Sequence, residues 1–122
     1  MGGAVSATAD EDCLYVNVFT PSGVTELSNL PVWVLIQGGG YAHDSGLQYN
    51  ATEIIQQSSG KLIYVQGNYR GGALGFLASE KIRENGDLNA GLLDQRALLS
   101  WVQLHIQKVI LASIRVGIIM VH

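Results

Sequence analysis

The sequence has a single cysteine, Cys13, so the 122-residue chain cannot form an internal disulfide. Charge is also scarce: lysine and arginine number seven against ten acidic residues, a net charge of −3, and no basic cluster occurs. This balance argues against nucleic acid and anionic membrane surfaces as partners. No apolar run reaches the roughly 18 residues that a membrane-spanning helix needs. No transmembrane segment is therefore predicted.

Motifs for nucleotides are missing as well. Residues 38–43, Gly-Gly-Gly-Tyr-Ala-His, fail the dinucleotide-binding pattern G-x-G-x-x-G at its last position. The phosphate-binding loop G-x-x-x-x-G-K-[ST] does not occur in the chain. We therefore reject a nucleotide-binding module and predict no cofactor and no bound metal.

The residues that are present suit a packed fold that alternates strands and helices. Hydrophobic residues make up 48% of the sequence. Two apolar runs of strand length, Pro31–Ile36 and 61–66, are rich in β-branched and aromatic residues and indicate buried parallel strands. Residues 51–57 between them predict a short helix. Strand, helix and strand in this order predict a right-handed βαβ crossover and an α/β fold.

Three further elements are predicted around this unit. Residues 14–20 alternate loosely before Pro21 and indicate an antiparallel edge strand. Residues 89–108 carry a broad apolar stripe at helical spacing and predict the longest helix, with Asp87 or Asn89 as its N-cap. The apolar tail 109–122 has the composition of a strand.

Three successive glycines, Gly38, Gly39 and Gly40, follow the strand Pro31–Ile36. Without Cβ atoms they can adopt positive φ and let a substrate approach their backbone N–H groups. Backbone donors at the carboxyl end of a parallel strand are what a developing oxyanion needs. A flexible glycine turn without a chemical role explains the same spacing, and spacing alone does not separate the two interpretations.

Four motifs in order resemble those of the type-B carboxylesterases, the cholinesterase and lipase branch of the α/β-hydrolases. Residues 11–21 read EDCLYVNVFTP, and residues 37–41 read QGGGY, similar to the family's HGGG-type oxyanion segment. Residues 68–77 resemble its NYRxGALGFL stretch, and residues 86–98 its GDLNAGLLDQRxAL helix. The resemblance covers about 10–107 and leaves 108–122 as a divergent tail. It implies that 1–122 is a partial carboxylesterase domain with a truncated α/β-hydrolase fold.

The resemblance implies a serine ester hydrolase in which Gly39 and Gly40 donate to the oxyanion and Gly38 shapes the loop. Relatives place a G-x-S-x-G nucleophile elbow further along the chain, and no such motif occurs here. The triad serine, acid and histidine are all absent, so we expect an inactive fragment of an enzyme whose substrate is a small-molecule or lipid ester. The alternative is a non-catalytic adhesion module, since the same fold serves that role in proteins that lost the triad.

Several side chains near these motifs have structural interpretations. Arg70 is expected to bind a loop carbonyl or a carboxylate, and Asp94 and Arg96 to form a solvated or structural pair. His105 is predicted to be structural, and His43, in the glycine loop, is a candidate for a general base. A catalytic role for Asp94 would require a nucleophile that the sequence does not show.

Two residues bear on where the protein acts. Asn50-Ala51-Thr52 is an N-glycosylation sequon, which matters only in a secreted protein. The resembled family is usually secreted, but residues 1–9 lack the pattern of a signal peptide, so the sequence leaves the location open. Cys13 is either a small buried apolar residue or, as the resemblance implies, the orphan of a disulfide with an upstream cysteine.

Overall fold

A computed structural model describes residues 12–24, 29–42, 50–110 and 115–120 of the chain. These residues form four strands and four helices. In chain order they are β1 (Val16–Phe19), β2 (Pro31–Ile36), α1 (Ala51–Gln57), β3 (Ile63–Gly67), α2 (Gly72–Phe76), α3 (Glu80–Asn85), α4 (Ala90–Ile110) and β4 (Arg115–Met120).

The four strands form one sheet in the order β1-β3-β2-β4. Strand β2 lies inside the sheet and pairs in parallel with β3 on one side and β4 on the other. Strand β1 pairs with β3 antiparallel, with Val16 opposite Gly67. The predicted parallel pair and the predicted antiparallel edge strand are both confirmed, and the apolar tail does contain a strand.

The main core fills the space between the sheet and α4. Alternate residues of β2 and β3 face this helix, because successive side chains of a strand point to opposite faces. All seven fully enclosed members are at most 4% exposed: Val32, Val34, Ile36, Ile63, Val65, Val102 and Ile106. A smaller cluster on the opposite face joins Leu35 and Tyr64 to Ala51 of α1.

The observed elements differ from the predicted ones mainly at their ends. Strand β3 runs Ile63–Gly67 instead of starting at Lys61, which is exposed, and α4 extends to Ile110. Helix α4 begins after Asn89, whose carbonyl accepts from the N–H groups of Leu92 and Leu93. None of the helices within the described ranges is long and apolar enough to cross a bilayer.

Helices α2 and α3 were not predicted from the sequence. Helix α2 has five residues, two of them glycine, which is too short for an apolar period to be visible. Helix α3 has six residues and begins at a cap, where Ser79 Oγ accepts from the Ile82 N–H at 3.2 Å.

Candidate functional site

The three glycines lie in a loop at the carboxyl end of β2, the position predicted for them. The chain leaves the sheet at Gln37, whose N–H donates to the Gly67 carbonyl at 3.3 Å. A tight turn follows, in which the Ala42 N–H donates to the Gly39 carbonyl at 3.1 Å. Its two central residues, Gly40 and Tyr41, both have positive φ, at 58° and 62°. This combination is that of a type I′ turn.

The turn reaches solvent at Gly40. Gly40 is exposed, and a Cβ built on it would meet no heavy atom within 4 Å. Among the described residues, no backbone hydrogen bond has the N–H of Gly39 or Gly40 as its donor. Gly38 and Gly39 are half-buried, so the segment passes from the sheet to solvent across three residues. The turn therefore has room beside Gly40 for an incoming group.

One neighbouring segment, residues 69–76, contacts the outer side of this turn. The Gly72 N–H, at the start of α2, donates to the Tyr41 carbonyl at 2.7 Å. The Tyr41 ring lies edge-on to Phe76 with a centroid separation of 5.1 Å, and 6.2 Å from the ring of Tyr69. Tyr69 in turn packs against the main core. Sequence reasoning noted both segments but did not predict that they touch.

An ion pair fixes the start of that neighbouring segment to α4. Arg70 donates to both carboxylate oxygens of Asp94, from Nε to Oδ2 at 2.8 Å and from Nη2 to Oδ1 at 2.6 Å. The Arg70 backbone N–H adds a third bond to Oδ2 at 3.0 Å. The Asp94 side chain is only 6% exposed. The prediction that Arg70 binds a carboxylate is confirmed.

The predicted pair of Asp94 with Arg96 is wrong. Residues two apart on a helix point in different directions, and Asp94 is buried where Arg96 is exposed. Hydrogen bonds from Arg70 hold the pKa of Asp94 below its usual range, against the raising effect of burial. The same hydrogen bonds raise the pKa of Arg70. Both groups are therefore kept charged, as an anchor requires and a proton-transfer role does not.

Two glycines make this anchor region compact. A Cβ on Gly75 would overlap the backbone carbonyl of Arg70. A Cβ on Gly91 would lie 2.5 Å from that same carbonyl oxygen and 2.7 Å from the Phe76 ring. The segment after β3 and the first turn of α4 thus meet at backbone distance.

The other predicted residues take structural positions or lie elsewhere. The His105 ring lies 5.6 Å from the Trp101 ring on α4, and its structural role stays a prediction. Cys13 is half-buried with a free thiol, and its carbonyl accepts a hydrogen bond from Asn68 Nδ2. His43 lies outside the described residues. Within the described ranges, no three histidine, cysteine, aspartate or glutamate side chains gather in a way that could hold a metal ion.

Comparison with known proteins gives this geometry a family context. The model of the carboxylesterase family matches residues 2–109. Lipase 2 of Geotrichum candidum is 40% identical over 100 residues, which is 80% of this chain and 18% of that protein. The para-nitrobenzyl esterase of Bacillus subtilis is 45% identical over 95 residues, 76% of this chain and 19% of the relative. The chain thus spans about a fifth of the length of these relatives.

Solved structures agree with the sequence relatives. Aspergillus niger EstA is 54% identical with a TM-score of 0.81, over 90% of this chain and 22% of its own. A para-nitrobenzyl esterase structure is 38% identical with a TM-score of 0.74, over 89% of this chain and 23% of its own. These neighbours are α/β-hydrolases, so the predicted fold class is confirmed. The chain belongs to the carboxylesterase family.

Proposed function

We propose that this chain supplies the oxyanion-hole segment of a carboxylic-ester hydrolase. The Gly39 and Gly40 N–H groups are the donors, and Gly38 shapes the approach from the strand. The observation that carries the proposal is the open turn at the carboxyl end of β2, with Gly40 at φ 58° and space beside it. Esters are the substrate class because relatives are named lipases and an esterase.

The chemistry assigned to the turn is stabilisation of charge. When a serine oxygen attacks the ester carbonyl carbon, the carbonyl π electrons move to its oxygen and form an oxyanion. Two fixed N–H donors stabilise this charge without the reorganisation that solvent requires. The electrons then return to re-form the carbonyl as the bond to the alkoxide breaks, and the alkoxide leaves as the alcohol with the proton that a general base took from the serine. The turn binds the oxygen most strongly between these two steps, which is how it lowers the barrier.

The turn does not complete the reaction alone. A covalent acyl intermediate needs an activated nucleophile, and the 122 residues contain no G-x-S-x-G motif. We therefore expect no measurable hydrolysis of a para-nitrobenzyl ester by the chain itself. Serine-dependent turnover by the purified 122-residue chain would contradict this part of the proposal.

The donor role is tested in a hybrid enzyme, which we name the esterase chimera. Residues 12–107 replace the matching stretch of the Bacillus subtilis para-nitrobenzyl esterase, which is 45% identical over 95 residues. The unsubstituted chimera is expected to hydrolyse its ester. Gly40→Val should lower kcat by roughly 10²–10³-fold, the usual cost of a lost oxyanion donor, because its branched side chain obstructs the approach and resists positive φ.

A matched control separates obstruction from backbone strain. Gly23 also has positive φ, at 79°, and a Cβ at this position would meet open space, but the residue lies in the turn before β2. Gly23→Val should therefore leave the kcat of folded enzyme unchanged. A folded chimera without activity, or one in which Gly40→Val behaves like Gly23→Val, would overturn the proposed role.

A further inference from the structure

Tyr41 adopts an unusual backbone conformation at a critical place. It directly follows Gly40 and has φ 62°, a region that side chains other than glycine seldom occupy. A tyrosine there stays in the left-handed region only if its surroundings hold it. Because Gly40 and Tyr41 are the two central residues of one turn, an anchored Tyr41 restricts the backbone of Gly40 from the far end of the turn.

Two contacts of different kinds hold Tyr41. Its carbonyl accepts from the Gly72 N–H at 2.7 Å, which fixes the peptide plane between Tyr41 and Ala42. Its ring meets Phe76 edge-on at 66° and lies 6.2 Å from Tyr69. Edge-to-face aromatic pairs are favourable beyond the area that they bury. Tyr41 is still 42% exposed, so burial alone does not explain its position.

The partners of Tyr41 are themselves held by further contacts. Tyr69 and Phe76 meet each other nearly perpendicular, at 88°. The Phe76 ring lies so close to Gly91 that a Cβ there would be 2.7 Å from it. Tyr69 immediately precedes Arg70, whose side chain and N–H are both bound by Asp94. A continuous path of contacts therefore runs from the first turns of α4 to the Tyr41 ring.

We propose that Tyr41 is a positioning residue, whose ring, docked on Tyr69 and Phe76, holds the Gly39 and Gly40 N–H groups in the direction that the oxyanion requires. This inference rests on the proposed function of the glycine turn. It assigns the ring, rather than the hydroxyl, the decisive part, because the contacts with Tyr69 and Phe76 are ring contacts. Tyr41 touches no reacting atom and acts through the backbone of Gly40.

The test compares three variants of the esterase chimera. Tyr41→Phe keeps the ring and should retain kcat within about twofold. Tyr41→Ala removes the ring and should lower kcat by roughly 10-fold to 10²-fold, the scale of a small misplacement of catalytic groups, with KM unchanged. Tyr41→Gly removes the ring but adopts positive φ freely, so it should fold and still lose kcat. Leu74→Ala, at a 79% exposed position of α2, is the control for unspecific loosening.

A second readout distinguishes positioning from stability. A trifluoromethyl ketone forms an oxyanion-bearing adduct with a serine esterase, so its inhibition constant reports on the donors. In Tyr41→Gly the inhibition constant should rise by the same factor by which kcat falls. In Tyr41→Phe both the inhibition constant and kcat should stay close to those of the unsubstituted chimera. If Gly40→Val lowers kcat and Tyr41→Gly does not, only the positioning role is overturned. If Gly40→Val has no effect either, the proposed function falls as well.

Discussion

The glycine of the turn after β2 and the glycines packed against Arg70 differ in what a side chain would meet there. Gly40, in the turn after β2, has open space on its Cβ side and a positive φ. Gly75 and Gly91 have no room at all, because a Cβ on either would meet the Arg70 carbonyl. The first is needed for access and conformation, and the others for close packing. Glycines of one fold can therefore serve opposite purposes.

The largest expected effect on stability comes from filling the packed glycines. Gly75→Ala in the esterase chimera would force its methyl group against the Arg70 carbonyl, a backbone atom that cannot rotate away. We expect a loss of about 3 kcal/mol in the free energy of unfolding, at the upper end for overpacking. Urea denaturation measures it. Gly86→Ala is the control, because its nearest atom would be 3.6 Å away. Equal midpoints for the two variants would abolish the distinction between the glycine groups.

A smaller effect on stability is expected from removing the ion pair between Arg70 and Asp94. Asp94→Asn leaves Arg70 without its anionic partner and should cost roughly 2 kcal/mol, the scale of hydrogen bonds to charged groups. Arg96→Gln, on the same helix but exposed, should change stability by less than about 0.5 kcal/mol. Thermal melts of both variants decide between the observed pairing and the one suggested by sequence proximity. Equal losses would contradict the observed pairing.

The same anchor predicts a pH dependence. The pKa of Asp94 is lower in the folded state than in the unfolded chain. Its stabilising contribution is therefore complete above the ordinary aspartate value of about 3.9 and is lost as the pH falls below it, towards the folded pKa. The difference in the free energy of unfolding between the unsubstituted chimera and Asp94→Asn should therefore become smaller as the pH falls through that range. A difference that stays constant down to the acid limit of folding would exclude this linkage.

The smallest effect is expected at Asn50, which lies in neither glycine group. Its Oδ1 accepts from the Thr52 N–H at 3.1 Å and caps α1, while its exposed Nδ2 donates to Glu53. Asn50→Ala should cost about 1 kcal/mol, and Asn50→Asp much less, because aspartate keeps the capping oxygen. Thermal melts of the two variants measure the difference. A larger loss for Asn50→Asp than for Asn50→Ala would contradict the capping role.

The same atoms make Asn50 a proposed glycosylation site. A glycan would attach to Nδ2 and leave the capping Oδ1 in place. In a secretory host, the chain should carry a glycan that Asn50→Asp and Thr52→Ala both abolish. Mass spectrometry of the secreted product checks this, and an unmodified Asn50 in a host that glycosylates a reporter sequon would refute it.

Sequence alone predicted the elements whose pattern is long or strongly apolar. Strands β2 and β3 and helix α4 follow from apolar runs and helical spacing. The site was predicted as far as the glycines and their place after β2. Helix α2 was not predicted, because five residues are too few to show the periodic spacing of apolar residues that indicates a helix.

Long-range contacts were beyond that reasoning. Arg70 and Asp94 are 24 residues apart, and the local sequence around either residue does not indicate the other as its partner. The rule that residues two apart on a helix do not face each other could have excluded Arg96 in advance. The contacts of Tyr41 with Tyr69 and Phe76 likewise depend on two segments that only the sheet brings together.

The strand order has a consequence for how this sheet assembles during synthesis. Val32 of β2 pairs with Ile63, and Pro31 pairs with Arg115, while Val16 of β1 pairs with Gly67. Among the described strands, each pairing joins segments that are distant along the chain, and none is a hairpin. Such contacts form late, because a long loop must close before either edge is paired. Both edges of β2, an almost wholly apolar strand, stay open while the ribosome adds the residues that will cover them. This interval, rather than the finished fold, is when the chain is most exposed to aggregation.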